Sequence, residues 1–232
     1  MPTVIELLRH LRGAAPPPQP PDERPAPERI GEPDGAEVEF AAYAEDCRIF
    51  GFLRLDAERL SDALNEHERV DLTDVLVVAL DDGHGREEQA LTVERDELLA
   101  VRAAGPRGNP ARRGRTRPHP VTLQTGPYTI HGHFHALPGA DPMKLLRLRK
   151  PMVPLTEAWI EYVAAGQTHR ARVGTIIVNR HLVDWIRPSR DDEVGLPDLP
   201  AETAPDPHAK DLTGYIYAGS LAAPRGPERG AS

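Results

Sequence analysis

The sequence predicts a mainly β fold of the α+β kind: two tandem, small curved-sheet or partial-barrel repeats with disordered linkers and tails. Three observations carry that expectation. Two stretches of the chain match one another element by element. Each stretch alternates apolar and polar residues as half-buried strands do. The 25 prolines among the 232 residues lie mostly outside those stretches, and apolar residues make up only 39%. That composition suits modest folded parts separated by unstructured segments.

The internal match sets "CRIFGFLRLDAERLSDALNEHERVDLTDVLVVALDDG", Cys47 to Gly83, beside "YTIHGHFHALPGADPMKLLRLRKPMVPLTEAWIEYVAAG", Tyr128 to Gly166. Ile49 and Gly51 fall on Ile130 and Gly132. Val70, Leu72, Thr73 and Asp74 fall on Val153, Leu155, Thr156 and Glu157. Further on, Val93 and Arg95 meet Val178 and Arg180, and Leu98 and Val101 meet Val183 and Ile186. The offset grows from 81 (Ile49 to Ile130) through 83 (Val70 to Val153) to 85 (Val93 to Val178), as short loop insertions would produce. Such spacing predicts a duplication.

Taken in order, residues 1–13 place Val4, Leu7, Leu8 and Leu11 at helical spacing, a short amphipathic helix whose apolar face needs a partner. Residues 14–40 are a Pro-rich linker. Repeat 1 spans 41–104. It reads as a strand over Arg48–Leu55, a helical turn at Leu60–Asn65, a strand over Val70–Leu80, and short strands at Gln89–Glu94 and Glu97–Arg102. Residues 105–122 form a basic Arg/Gly/Pro loop. Repeat 2 spans 123–188 and repeats the order: Thr129–Leu137, Pro142–Leu148, Val153–Val163, Arg172–Asn179 and His181–Arg187. A disordered acidic, Pro-rich tail covers 189–232. Its locally apolar segment, 212–221, is suited to adding a strand to a sheet edge. A unit of four strands is marginal alone, so each copy is expected to cover the other's sheet face.

The run "YTIHGHFHALPG" supplies the candidate metal ligands. Strand alternation puts His131, His133 and His135 on one face, with Ile130, Gly132 and Phe134 on the other. Two imidazoles at i and i+2 can share a zinc ion, given a third or fourth ligand from His135, His169, His181, Glu157 or Glu161. The other copy has Phe50, Phe52 and Arg54 at the matching positions. That favours rings packed at a seam between the copies over catalytic machinery common to both.

Several classes are excluded. One cysteine, Cys47, rules out a disulfide framework and a multi-Cys zinc site. There is no Gly-rich phosphate loop, nucleophile elbow or dinucleotide fingerprint, so no catalytic residue and no cofactor is assigned. No stretch is apolar enough to span a membrane, the first residues make a poor signal peptide, and a cytoplasmic location follows. The formal charge of −8 argues against general polyanion binding. The local exception is Arg107, Arg112, Arg113, Arg115 and Arg117, a candidate anion-binding loop. Thr73-Asp74 and Thr156-Glu157 recur where a strand is expected to begin, as a side-chain-to-backbone turn would.

"GFLRLDAERLSDALNEHERVDLTDV" and "TIIVNRHLV" resemble a small uncharacterised bacterial domain marked by an RLSDxLN-like turn, an LTDV strand and a VNRxHI-like strand pair. The first copy keeps the turn at Arg59–Asn65. The second departs there but keeps Val178, Asn179 and Arg180. The resemblance implies no activity. The closing strand–corner–strand is also similar to Sm-like small barrels. The function expected is a non-enzymatic interaction or regulatory module that meets another protein through the N-terminal helix or the C-terminal segment. The alternatives are nucleic-acid or polyanion binding through the arginine loop, and a metal-dependent enzyme built on the histidine strand.

Overall fold

Ten strands form a single antiparallel sheet in the computed structural model, which describes residues 35–106, 108, 114–190, 194 and 198–202. The first half of the chain contributes β1 (Ala36–Tyr43), β2 (Cys47–Leu55), α1 (Leu60–Glu66), β3 (Arg69–Ala79), β4 (Gly85–Glu94), a 3-10 turn at Arg95–Glu97, and β5 (Ala100–Arg102). The second half contributes β6 (Arg117–Thr125), β7 (Tyr128–Ala136), α2 (Pro142–Leu148), β8 (Met152–Ala164), β9 (Gln167–Asn179) and β10 (Trp185–Pro188). The strand order is β10-β6-β7-β8-β9-β5-β1-β2-β3-β4. Within each half the last strand lies outside the first, and the two halves join where β9 pairs with β5.

Local chemistry explains these elements. Asp141 caps α2, accepting from the N–H groups of Met143 at 2.9 Å and Lys144 at 3.3 Å, and Pro142 follows at the first helical position. α1 buries Leu60, Ala63 and Leu64 against the sheet. The β8–β9 hairpin turns through Ala165 and Gly166, with φ of 48° and 73°, the left-handed pair that a tight two-residue hairpin demands.

The pairing of β2 with β3 slips between Phe50 and Phe52, and that of β7 with β8 slips between His131 and His133. The extra residues are Asp74 and Glu157, at φ of 48° and 51°. Thr73-Asp74 and Thr156-Glu157 are therefore mid-strand bulges, not turns at a strand's start. A bulge bends its strand and increases twist, which curls each half. It also explains the glycine opposite. A Cβ on Gly51 would lie 2.9 Å from the Thr73 carbonyl oxygen, and one on Gly132 3.2 Å from the Cβ atoms of Ala158 and Leu155.

The halves meet edge to edge rather than face to face. Ala100, Val101 and Arg102 register with Val178, Ile177 and Ile176. Each half has its own core, and each core borrows from the other half. Met152 and Ile177 pack into the first, Tyr43, Leu80, Leu99 and Ala100 into the second.

Several expected boundaries move. Each half has five strands, not four. β1 begins inside the 14–40 stretch read as linker, and β6 begins at Arg117, inside the 105–122 loop. Both were hidden because neither shows the clean alternation of β7. β1 ends in a run of four buried residues, and β6 carries two prolines, which edge positions in a ladder tolerate. Part of the tail is also ordered: Val194 and Leu199 are buried, and Pro200 and Glu202 bond to Arg172. Val4, Leu7, Leu8, Leu11, Arg107, Arg112, Arg113 and the segment 212–221 lie outside the described residues. Among the described residues no helix is long and apolar enough to cross a membrane.

Candidate functional site

On β7 the expected alternation holds: Ile130, Gly132 and Phe134 are buried, and the three histidines share the opposite, half-buried face. The rings nevertheless engage different partners. His131 stacks on Trp159 of β8 at 3.8 Å between centroids and 8° between planes, and its Nδ1 lies 2.9 Å from the Thr122 hydroxyl. His133 Nδ1 lies 3.2 Å from a Glu157 carboxylate oxygen across the bulge. His135 sits between Thr156, 2.8 Å from Nε2, and Thr116, 3.3 Å from Nδ1. Burial lowers the His135 pKa and His133 adds to that, with Glu157 opposing. Among the described residues no group of three His, Cys, Asp or Glu is assembled for a metal. The sister strand's Phe50 does not meet His131 at a seam, because the halves share an edge and each ring packs within its own half.

The seam holds a different set of residues. Tyr43 ends β1, Arg48 lies in β2, Tyr128 opens β7, and Tyr162 and His169 face one another across β8 and β9. The three tyrosine rings pack edge-on, with centroids 5.2 Å apart for Tyr43–Tyr128, 5.5 Å for Tyr128–Tyr162 and 6.4 Å for Tyr43–Tyr162. Such tilted contacts suit the ring quadrupoles. Arg48 is buried among them, its guanidinium 5.2 Å from the Phe50 ring centroid and 5.4 Å from that of Tyr162. Its Nη1 donates to the Tyr162 hydroxyl at 2.7 Å. The Tyr128 hydroxyl donates to the Cys47 carbonyl at 3.2 Å.

A buried guanidinium needs a counter-charge, and it comes from the far end of the chain. The Glu202 carboxylate lies 3.5 Å from Arg48 Nη1 in an ion-pair contact and accepts a hydrogen bond from the Tyr43 hydroxyl. The Glu202 backbone is held as well. Arg102 Nη1 donates to its carbonyl at 2.8 Å, and its N–H donates to the Arg172 carbonyl at 3.0 Å. Arg172 N–H donates to the Pro200 carbonyl at 3.0 Å, so residues 200–202 run parallel to β9 as a bridge centred on Ala201. β5 covers the other part of the same β9 edge, at Ile176–Val178. Leu199 is buried just before the bridge.

The electrostatics follow from this enclosure. Burial acts to lower the Arg48 pKa, but Tyr162, Glu202 and Tyr43 outweigh it and raise it, so the guanidinium stays charged. Burial, then Glu202, pushes Tyr43 well above its ordinary value, and burial brings Tyr162 to about 12. Both phenols remain donors. Burial lowers the His169 pKa and Arg48 adds to that, against the Ala164 backbone carbonyl. His169 stacks on Tyr162 at 5.3 Å and 16°. Burial raises the Cys47 thiol to about 12, so it is an inert buried group rather than a nucleophile.

Together these define the class of site: a β9 edge shared by β5 and the extended residues 200–202, with a buried arginine paired to the Glu202 carboxylate. No family model, curated protein or solved structure matches the chain. Sequence reasoning missed this site. One signal was present: in "CRIFGFLRL" Arg48 shares a strand face with Phe50 and Phe52, and a charge on an apolar face calls for a buried partner. Nothing local marked Glu202, which stands in acidic, Pro-rich sequence. Of the five arginines in the predicted anion-binding loop, Arg115 and Arg117 fall within the described residues, and both are exposed.

Proposed function

We propose that the protein is a non-enzymatic interaction module that holds an extended acidic segment along β9, with residues 199–202 of its own chain occupying that groove. The observation behind this reading is the double capture of Glu202, backbone on Arg172 and Arg102, carboxylate on Arg48 and Tyr43. Strand addition gives affinity through the main chain, and a side-chain pocket gives specificity. A partner carrying a similar acidic, extended segment competes for the same edge, which makes occupancy a regulatory variable. The shared strand order, bulges and glycines support descent of the halves from one duplicated unit, related to the small bacterial domain that the sequence motifs resemble. The free buried Cys47 fits a reducing, cytoplasmic setting.

The test uses a labelled peptide of residues 196–206 and the full chain. The Glu202→Ala variant, with its own segment weakened, binds the peptide more tightly than the wild type, whose tethered segment competes at high effective concentration. Adding Arg48→Met to that variant removes the gain. If Glu202→Ala binds no better than the wild type, or if Arg48→Met changes nothing, the reading is overturned.

A further inference from the structure

Both ends of the Glu202 side chain are fixed. At the main-chain end its N–H donates to the Arg172 carbonyl at 3.0 Å, and its own carbonyl accepts from Arg102 Nη1 at 2.8 Å. Arg102 is in turn tied to Glu39, Nη2 to carboxylate, at 3.3 Å. At the other end stand Arg48 and Tyr43. The Arg48 guanidinium packs on the rings of Phe50 and Tyr162, and its Nη1 donates to the Tyr162 hydroxyl at 2.7 Å. Tyr43 is buried edge-on against Tyr128 and Tyr162. Side chains packed this closely hold one position. The span from main chain to guanidinium is therefore set by the fold, and a glutamate side chain fills it. We infer that the site selects glutamate over aspartate, and that the partner segments it takes are of the class Leu-Pro-x-Glu, running parallel to β9. This rests on the capture of segments proposed above and adds the side chains that such a segment must carry.

Aspartate is shorter by one methylene, roughly 1.5 Å of bond length. With its main chain pinned, its carboxylate draws back from a guanidinium that already stands 3.5 Å away. It also leaves the hydrogen-bond reach of the Tyr43 hydroxyl. Neither donor can follow it. The loss is large because the site is dry: the Arg48 and Glu202 side chains are 9% and 6% exposed. A carboxylate that stops short of its partner is desolvated without being paired.

The other positions follow from the same bridge. Leu199 is buried, so the residue three before the glutamate is apolar. Pro200 and Ala201 are exposed, and their side chains are not read. Residue 200 gives the bridge its carbonyl, which accepts from Arg172 N–H at 3.0 Å. Proline keeps that acceptor, fixes its own φ and holds residue 199 extended before binding. Ordering a segment in advance lowers the entropy lost on capture. Direction is fixed as well, since Arg172 N–H meets residue 200 and the Arg172 carbonyl meets residue 202, a parallel arrangement.

Two measurements test this, one within the chain and one with a separate segment. In the full chain, Glu202→Asp keeps the charge and Glu202→Gln keeps the length. Glu202→Asp is expected to lower the melting temperature at least as far as Glu202→Gln does. A Glu202→Asp chain that melts with the wild type overturns the inference, whatever binds at β9. For the separate segment, the full-chain Glu202→Ala variant is titrated with labelled peptides of residues 196–206. The peptide of natural sequence binds. Peptides carrying Glu202→Asp or Leu199→Ala each bind about tenfold more weakly, or worse. An aspartate peptide within about threefold of the natural one overturns the inference and leaves the capture reading standing. A natural peptide that does not bind overturns the capture reading, and the partner class falls with it.

Discussion

Asn65 of α1 clasps the backbone of Met152: its Nδ2 donates to the Met152 carbonyl at 2.9 Å, and its Oδ1 accepts from the Met152 N–H at 3.0 Å. One amide side chain thus does for the first residue of β8 what a neighbouring strand would do. It also ties the first half to the second, because Nδ2 bonds the Ser61 carbonyl within α1 at 2.7 Å. Met152 is buried, so removing the clasp leaves two main-chain groups without partners. Asn65→Ala is expected to cost about 1–3 kcal/mol. Asn65→Asp loses the donor and sets a carboxylate against two carbonyls, so it costs at least as much. In urea both variants should show a lower midpoint with an unchanged slope. An unmoved midpoint would show that the clasp is incidental.

The two bulge glycines should differ in tolerance. A Cβ at Gly51 meets the Thr73 carbonyl oxygen at 2.9 Å, a backbone atom that cannot swing aside. At Gly132 the nearest atoms are at 3.2 Å and are side-chain carbons of Ala158 and Leu155. Gly51→Ala is therefore expected to cost about 1–3 kcal/mol, and Gly132→Ala less. Thermal unfolding of the two variants checks the order, and equal losses would mean that the bulges do not set it.

What the sequence disclosed, and what it hid, divides along physical lines. The strands β7 and β8 and both short helices were legible because each has one buried face, and its residues alternate or repeat accordingly, whereas β2 and β3, buried on both faces over part of their length, were legible as apolar runs bounded by polar turns. β1 and β6 were not, since their apolar residues are set by two neighbours and by the seam. The histidine face was legible as a face, yet its rings turn to Trp159, Glu157 and Thr156, a choice that periodicity does not encode. Arg48 and Glu202 are far apart in the chain and share no motif. Only the fold brings the carboxylate to the guanidinium.

The β8–β9 hairpin carries strain that can be relieved. Ala165 sits at φ 48°, where its Cβ is unfavourable, ahead of Gly166 at φ 73°. Asparagine favours this first position of a two-residue hairpin. Ala165→Asn should stabilise the protein by about 1 kcal/mol, seen as a raised melting temperature. The Ala165 N–H bond to the Leu80 carbonyl, 2.7 Å, is kept. No gain in melting temperature would show that the turn already relaxes in solution.

Acid should weaken the fold before its carboxylates titrate. His135 and His169 both have pKa values lowered by burial, below the roughly 6.5 of an unfolded histidine. As pH falls, the unfolded chain takes up these protons first. The stability they contribute is complete above about pH 6.5 and is lost as pH drops through the depressed folded values. His169→Phe keeps a ring against Tyr162 and removes one of the two titrations. Between pH 7 and about 5.5 its stability should fall less steeply than that of the wild type. Parallel curves would remove His169 from the account.

The buried Arg48–Glu202 pair makes a prediction about non-additivity. Each charge is desolvated, and each is tolerable only because the other is there. Glu202→Leu strands a guanidinium whose remaining partner of note is the Tyr162 hydroxyl at 2.7 Å. Arg48→Met strands a carboxylate beside Tyr43. Either single change is expected to cost about 3 kcal/mol, the order found when one partner of a buried pair is removed. Replacing both leaves apolar groups of similar volume among three tyrosines, and that change should be close to neutral. The double variant would then be more stable than either single one, and the coupling in a double-mutant cycle would be about 6 kcal/mol, the sum of the two single costs. Because Glu202 reaches the seam on a segment anchored at Leu199 and Pro200, the comparison also separates two forces. If the singles cost little and add up, the segment is held by its backbone bonds to Arg172, and the arginine is a bystander. If they couple strongly, the guanidinium selects the acidic residue, and a competing segment must carry one to take its place.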